Sequence, residues 1–167
     1  MKKTYSFLLL LMGAFIFTSC LSIAPTSISR NGSLDGYRYF YVTPTAERSS
    51  VTGDTWGSRG NTYGTTKSNS VNPADYIAGY LMNRGYVRVP EVKKENAAQT
   101  MVINYGEGNN REGFWETRAI TVTIQILNGQ TNDLLCVCKA EDKASDEAKA
   151  TRLAIEKALN EIFNGAL

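Results

Sequence analysis

The strictest pattern in this sequence lies between Arg118 and Leu127, where apolar and polar residues alternate. Every second position from 120 to 126 is isoleucine or valine, and the positions between them are threonine or glutamine. Successive side chains of a β-strand point to opposite faces, so this segment has one apolar face and one polar face. The pattern is typical of an antiparallel strand that packs one face on a core and turns the other to solvent.

Other segments also predict strands, because aromatic and β-branched residues are dense in them: 37–42, 86–89, 100–105 and 134–140. Pro90 ends the second of these. Asn128 and Gly129 begin a connection that runs to Asp133, so the alternating strand and the last strand are expected to form a hairpin.

Two segments predict helices. Asn72 and Pro73 suit the cap and the first residue of a helix that ends at Gly85. The second helix is predicted to begin at Ser145 and to end at residues 164–165. Each has an apolar stripe at helical spacing: Ile77, Tyr80 and Leu81 in the first, and Ile155, Ala158, Leu159, Ile162 and Phe163 in the second.

The order of elements, β-α-β-β-β-β-α, predicts an α+β fold. We expect an antiparallel sheet of about four to five strands with two helices packed on one face. Residues 36–167 form this single domain. A chain of this size buries roughly 68–70% of its unfolded surface, which is enough for a core without disulfides.

The first 19 residues have the pattern of a signal peptide: Lys2 and Lys3 precede an uncharged run over residues 7–17. A membrane-spanning helix needs about 20 apolar residues, so this run is too short for an ordinary anchor. Thr18 and Ser19 precede Cys20, which resembles the lipobox of bacterial lipoproteins, although Phe17 stands where leucine is usual. The resemblance implies cleavage before Cys20 and acylation of its sulfur and its new amine. The alternative is an ordinary secretory signal with a cysteine near its cleavage site.

Residues 20–35 are predicted to be the lipidated cysteine and a tether, because the segment is rich in serine and lacks a period. Leu21 follows the cysteine where an aspartate would resemble an inner-membrane retention signal. The predicted location is therefore the outer membrane of the cell envelope, with the domain facing the periplasm. The membrane is a predicted partner through the lipid anchor.

Composition excludes several functions. Loss of residues 1–19 removes two lysines and leaves 16 basic and 16 acidic residues, so the mature chain is neutral and no nucleic-acid partner is expected. The chain has no histidine, which excludes Ser-His-Asp triads, Cys-His pairs and His-ligated zinc. No cofactor and no metal site are predicted.

Residues 43–71 predict a long loop, because these 29 residues include twelve serines or threonines and four glycines. Trp56 and Tyr63 lie in this loop, and Phe114 and Trp115 lie beside the turn-rich segment 106–116. These four aromatic residues are the candidate binding residues, since exposed Trp and Tyr favour interfaces. A disordered loop with incidental aromatic residues is the alternative.

Two further clusters could carry chemistry. Cys136 and Cys138 share a face of one predicted strand and are interpreted as small core residues, with a redox pair or soft-metal site as the alternative. Glu107, Glu112 and Glu116 flank a turn and are interpreted as a solvated rim. A pair of these carboxylates could instead serve in acid-base hydrolysis.

The order of motifs resembles a family of small bacterial envelope lipoproteins that is defined by a domain of unknown function. The resemblance rests on the aromatic first strand, the helix end Leu81–Tyr86, the strand Met101–Tyr105, the turn around 128–135 and the closing helix. The long segment 43–71 departs from that pattern. The family has no catalytic residues to carry over, so the resemblance implies a fold and an envelope location.

These observations predict a lipid-anchored periplasmic protein without catalytic activity. It would act as a binding or accessory component in envelope assembly or transport, with an envelope protein as its partner. One alternative is a structural subunit that self-associates through sheet edges or the long loop. A second alternative is an envelope hydrolase that uses Glu107 and Glu112.

Overall fold

A computed structural model of the chain describes residues 22–58, 61–112 and 117–164. In these ranges the first half holds β1 (Ser27–Arg30), β2 (Tyr39–Val42), β3 (Arg48–Ser58), β4 (Asn61–Val71) and helix α1 (Pro73–Met82). The second half holds β5 (Val87–Arg88), a 3-10 turn (Ala97–Gln99), β6 (Thr100–Glu112), β7 (Arg118–Asn128), β8 (Leu134–Ala144) and helix α2 (Glu147–Asn164). Neither helix is long and apolar enough to cross a membrane.

Six strands form a mixed sheet in the order β1-β8-β7-β6-β2-β5. The neighbours from β1 to β6 are antiparallel, whereas β2 runs parallel to both β6 and β5. Helix α1 lies between β2 and β5 in the chain, and a crossover of this kind returns the chain in the same direction. The predicted α+β class with two helices is confirmed. The prediction of a purely antiparallel sheet of four to five strands is wrong.

One core lies between the sheet and both helices. The isoleucine and valine face of the alternating strand is fully buried there, as that pattern predicts. Helix α2 packs on β7 and β8, and α1 packs against α2 and β2. The largest buried side chains are Phe40, Ile77, Leu81, Met101, Ile103, Ile120, Ile124, Ile126, Ile155, Leu159 and Ile162. Each such side chain contributes about 1.5–3 kcal/mol through its removal from water.

Helix α1 begins and ends as its sequence predicts. The Asn72 side chain accepts hydrogen bonds from the backbone N–H groups of Ala74 and Asp75, at 3.0 and 3.4 Å. Gly85 has a φ of 88°, and the N–H of Tyr86 donates to the carbonyl of Leu81 at 3.2 Å. This left-handed ending turns the chain toward β5.

The segment predicted as a long loop, 43–71, is mostly strand. Strands β3 and β4 pair with each other as an antiparallel ribbon, from Arg48 opposite Val71 to Ser58 opposite Asn61. The loop prediction relied on the scarcity of apolar residues. The two strands of this ribbon satisfy each other's backbone groups, so their pairing does not require an alternating apolar face in the sequence.

The segment predicted as a tether, 20–35, contains β1. This strand pairs with residues 136–139 of β8 at the edge of the main sheet. The Arg30 guanidinium also donates to the carbonyls of Glu161 and Ile162 in the last turn of α2, at 2.9 and 2.8 Å. The ordered domain therefore begins earlier than residue 36.

Candidate functional site

Cys136 and Cys138 are buried free thiols on the face of β8 that meets the helices. Their register partners on β7 are Ile126 and Ile124. Burial raises the pKa of both thiols, that of Cys138 to about 11, so both are protonated at neutral pH. Their interpretation as core residues is confirmed. Within the described ranges, no three His, Cys, Asp or Glu side chains come together as metal ligands.

Glu107 is not the freely solvated rim residue that the sequence predicts, because its side chain is only 17% exposed. Arg48 pairs with this carboxylate, with Nε donating to Oε1 at 3.1 Å, and the hydroxyl of Tyr105 donates to the same oxygen at 2.8 Å. Burial, followed by these contacts with Glu107, raises the pKa of Tyr105. The cluster joins β6 to the first residue of β3.

Of the carboxylates proposed for hydrolysis, Glu107 is the one whose side chain the structure describes. The side chain of Glu112 and the whole of Glu116 lie outside the described residues. The carboxylate of Glu107 forms an ion pair with Arg48, and this ion pair joins β6 to β3.

The predicted binding residues are placed only in part. Trp56 and Tyr63 are opposite each other in the register of β3 and β4, in the third pair counted from the end of the ribbon. Their side chains, and all of Phe114, Trp115 and Cys20, lie outside the part of the chain that the structure describes. The fold therefore brings two of the four candidate positions together along the backbone.

Asp146 holds the base of the ribbon against helix α2. The hydroxyl of Ser50 and the amide of Asn69 donate to its two carboxylate oxygens at 3.1 and 3.3 Å. The N–H of Lys149 donates to the same carboxylate at 2.9 Å, so Asp146 also caps the helix. Arg152 adds a bond of 2.6 Å to the carbonyl of Ser70. The side chain of Asp146 therefore joins the ribbon to helix α2.

The ribbon continues well beyond this base. Ser50 and Asn69 are a register pair, and eight more pairs follow up to Ser58 and Asn61. At about 3.3 Å per residue, this part of the ribbon is about 26 Å long. Among the residues whose side chains are described, the contacts that fasten the ribbon to the domain lie at its base.

Arg111 joins three segments at the end of the sheet where β6 and β8 finish. It forms an ion pair with Glu141, whose side chain is 6% exposed, and the hydroxyl of Thr121 also donates to Glu141 at 3.4 Å. The same guanidinium donates to the backbone carbonyl of Ser22 at 3.0 Å. Arg111 therefore fixes the start of the described chain to the sheet.

Parts of two strands have an edge that no other described strand covers. Strand β2 pairs with residues 100–103 of β6, so residues 104–112 extend past it. Strand β1 pairs with residues 136–139 of β8, so residues 140–144 extend past it. Lys157 donates to the carbonyl of Glu141 in this second edge, at 3.1 Å. Open edges can pair with strands of another chain.

A polar recess of about 220 Å³ lies at the start of α1. Four of its polar side chains, those of Thr45, Asn72, Asp75 and Arg88, have partners in the protein. Asn72 accepts from Thr45 at 2.9 Å, and Arg88 pairs with Asp75 at 3.2 Å. The recess therefore needs no ligand to satisfy these groups.

Comparison with known proteins shows a likeness of fold. No model of a protein family matches the chain, and no curated protein matches it. The structure is similar to a chain of the PelC dodecamer from Paraburkholderia phytofirmans, with a TM-score of 0.53 and 12% sequence identity over 81% of this chain and 96% of that chain. A leucine-to-methionine variant of that dodecamer gives a TM-score of 0.51 at 12% identity, over 81% and 93% of the two chains.

The sequence did not single out the residues that join the elements here. Asp146 stands one position after the predicted start of the second helix, so its capping role could have been read from that position. Arg111 and Glu141 are 30 residues apart, and nothing local in either segment indicates the other. Only the register of β6, β7 and β8 brings them together.

Proposed function

We propose that this protein is a lipid-anchored protein of the cell envelope that acts by binding, as one subunit of a homo-oligomer. The observation that carries the proposal is the fold. Most of this chain matches nearly the whole of a PelC chain, and that protein is a dodecamer. Cys20 would carry the anchor, in the outer membrane and with the domain on the periplasmic side.

The strand edges that no described strand pairs with support self-association. Residues 104–112 of β6 and 140–144 of β8 lie on opposite sides of the three-stranded β6-β7-β8 part of the sheet. One copy can therefore offer its β6 edge to the β8 edge of the next. Such head-to-tail contacts use two different surfaces, so each subunit can bind two neighbours and close into a ring.

The ribbon formed by β3 and β4 supports the same proposal. Its base is fixed to Asp146 and Arg152 of this chain, and about 26 Å of paired strand extends beyond that base. An isolated two-stranded hairpin is marginally stable in water and is stabilised by packing on another surface. A neighbouring copy would supply that surface.

A binding role fits the described chemistry better than hydrolysis does. The carboxylate of Glu107 accepts hydrogen bonds from Arg48 and Tyr105, and the carboxylate of Glu141 forms an ion pair with Arg111. These carboxylates hold strands and segments together.

The test of self-association is the mass of the particle in solution. The mature chain with Cys20→Ser, and the full-length protein purified in detergent, would both be measured by light scattering after gel filtration. We expect a defined multiple of the subunit mass in at least one form. A strict monomer in both forms at the highest soluble concentration would refute the homo-oligomer.

A shortened ribbon tests which surface is used. Thr52 and Lys67 are register partners, so residues 53–66 can be replaced by Asn-Gly, which suits a two-residue hairpin turn. We expect this variant to lose its oligomeric mass and to keep a cooperative thermal transition, with a midpoint lowered only by the loss of association. Gln130→Ala, in the turn between β7 and β8, is the matched control. If the shortened variant still assembles, the ribbon is excluded as the contact and the strand edges are favoured.

The anchor is tested separately. Cells fed with a labelled fatty acid should incorporate the label into the wild-type protein and not into Cys20→Ser. Equal labelling of the two proteins, or no label in either, would refute lipidation of Cys20.

A further inference from the structure

Ser22, the first residue that the structure describes, is held to the domain. The carbonyl of Ser22 accepts a hydrogen bond from Arg111 at 3.0 Å, and Arg111 is itself paired with the buried carboxylate of Glu141. Five residues after Ser22, β1 begins and pairs with β8. The segment between the predicted lipid and the sheet is therefore attached at two places.

The short distance to the anchor limits where the lipid can be. Cys20 is two residues before Ser22, and two residues of extended chain span at most about 7 Å. A free tether over residues 21–35 would instead have an average span of about 20 Å and could swing in any direction. A lipid on Cys20 would therefore be limited to the neighbourhood of Ser22 and Arg111, at the end of the sheet where β6 finishes.

The last two rungs at this end of the sheet carry three basic residues and one acidic residue, Glu112, which is opposite Arg118. Arg111 is opposite Ala119, which is opposite Lys143, and Arg118 follows on the next rung. The Arg111 side chain is 44% exposed, and Lys143 is exposed. A basic residue near an anionic lipid surface contributes about 1 kcal/mol of attraction. Basic residues outnumber acidic ones on these two rungs, so the charge of this end is compatible with the position that the anchor implies.

We propose that this end of the sheet, formed by Ser22, Arg111, Arg118 and Lys143, lies directly against the lipid headgroups of the leaflet that holds the anchor. The proposal rests on the lipid anchor of the proposed function. The turn between β7 and β8 then points away from the membrane, at the far end of strands that are 11 residues long. The domain would therefore have a single orientation relative to the bilayer.

The test is a lysine footprint on vesicles. The mature chain is coupled through Cys20 to a maleimide headgroup in vesicles of phosphatidylethanolamine and phosphatidylglycerol, which makes the attachment independent of acylation in the cell. Cys136 and Cys138 are buried, so Cys20 is the thiol that reacts. A water-soluble acetylating reagent then reports the exposure of each lysine by mass spectrometry.

Lys143 is the reporter, and Lys94 is the control. Lys94 is exposed and lies two residues before Asn96, whose carbonyl accepts from the Thr100 hydroxyl at the opposite end of β6. We expect coupling to slow the acetylation of Lys143 severalfold and to leave Lys94 unchanged. The reference is uncoupled Cys20→Ser protein mixed with the same vesicles, which shows any protection that comes from self-association.

A longer tether provides the matched variant. Twenty Gly and Ser residues inserted between Leu21 and Ser22 have an average span of about 25 Å and do not alter the folded domain. We expect the insertion to return Lys143 to its uncoupled rate. The double variant Arg111→Gln and Glu141→Gln, which frees Ser22 and leaves no buried charge unpaired, should restore part of that rate.

Two results would overturn the inference. Equal acetylation of Lys143 and Lys94 on vesicles would show that the domain swings freely, and stronger protection of Lys94 would show that the other end faces the lipid. Absence of fatty-acid labelling in cells, together with protection of Lys143 on vesicles, would refute the natural anchor and leave the orientation supported.

Discussion

Gly129 lies in the turn between β7 and β8, where two backbones come unusually close. Its N–H donates to the carbonyl of Thr100 at 2.8 Å. A Cβ at this position would lie 2.7 Å from that oxygen and 3.0 Å from the carbonyl oxygen of Ala97. Gly129 does not have a positive φ, so its backbone conformation does not require glycine. Glycine is required because the neighbouring backbone leaves no room for a Cβ.

Gly129→Ala should therefore destabilise the protein by about 1–3 kcal/mol, the usual range for overpacking a tight site. Urea denaturation of the purified domain measures the change. Gly79→Ala is the control, because no atom lies within 4 Å of its added Cβ and alanine favours a helix. Equal effects of the two substitutions would contradict the steric argument.

The buried thiols make the stability of the protein depend on pH in the alkaline range. Burial, together with the neighbouring Cys136, raises the pKa of Cys138 from 9.0 to about 11. The folded state therefore favours the protonated thiol, while the unfolded chain releases the proton at lower pH. The stabilising contribution is complete below pH 9 and is lost as the pH rises from 9 to 11.

We expect the urea midpoint of the wild-type protein to fall between pH 9 and pH 11 more steeply than that of Cys138→Ala. Tyr105 also has a raised pKa, but it is present in both proteins, so the difference between the two curves isolates the thiol. Parallel curves would contradict the prediction. Measurements at pH 7 provide the baseline, because both thiols are protonated there.

Strand β1 is short, and its place in the fold depends on contacts beyond its own backbone pairs. The guanidinium of Arg30, its last residue, donates to two carbonyls in the final turn of α2. Those carbonyls belong to the end of a helix, where the backbone dipole is negative and a cation is stabilised. One side chain therefore joins the edge of the sheet to the end of the helix that packs on it.

Arg30→Met should cost about 1 kcal/mol, because it removes these bonds and keeps the aliphatic part of the side chain. Hydrogen exchange should be faster in the last turn of α2 and unchanged in its first turn, where Asp146 caps the helix. Arg30→Lys should retain part of the stability. The contact would be refuted as a stabilising feature if exchange in the last turn stayed at the wild-type rate.

At the scale of the whole molecule, the N-terminal segment decides whether the sheet has a protected edge. Residues 27–30 cover part of β8, and Ser22 is bound to Arg111. An uncovered strand edge is a site of unwanted pairing between chains. The described part of this segment therefore belongs to the folded domain.

A chain that begins at Gly36 should unfold at lower urea concentration and aggregate at micromolar concentration, as seen by light scattering. A chain that begins at Thr26 keeps β1 and serves as the control for shortening. If residues 20–35 acted only as a tether, the two truncated proteins would behave alike.

The alternation in β7, the capping pattern of Asn72 and Pro73, and the apolar stripes of both helices predicted their elements, because each signal comes from neighbouring residues. The hairpin turn after Asn128 was predicted for the same reason. The ribbon was missed, because its serine and threonine content is typical of loops and its pairing needs no apolar face. Strand β1 was missed, because its pairing partner lies more than one hundred residues away.

In the candidate site, too, the sequence indicated single residues and did not indicate which distant residues contact them. The sequence indicated Cys136 and Cys138 as core residues and singled out Glu107, but it could not place Arg48 or Tyr105 around that carboxylate. The contacts that support the two proposals, Asp146 with the ribbon and Arg111 with Ser22 and Glu141, join residues from distant parts of the chain.

By itself, the sequence determined which segments have one apolar face and where two helices begin, since periodicity and capping depend on residues a few positions apart. It also determined that histidine chemistry is excluded. Only the tertiary structure decided that β2 runs parallel to β6, that β3 and β4 form a ribbon, and that Ser22 lies beside Arg111. These features depend on pairings between distant segments, and the free energy of such pairings exists only once the core between the sheet and the helices has formed.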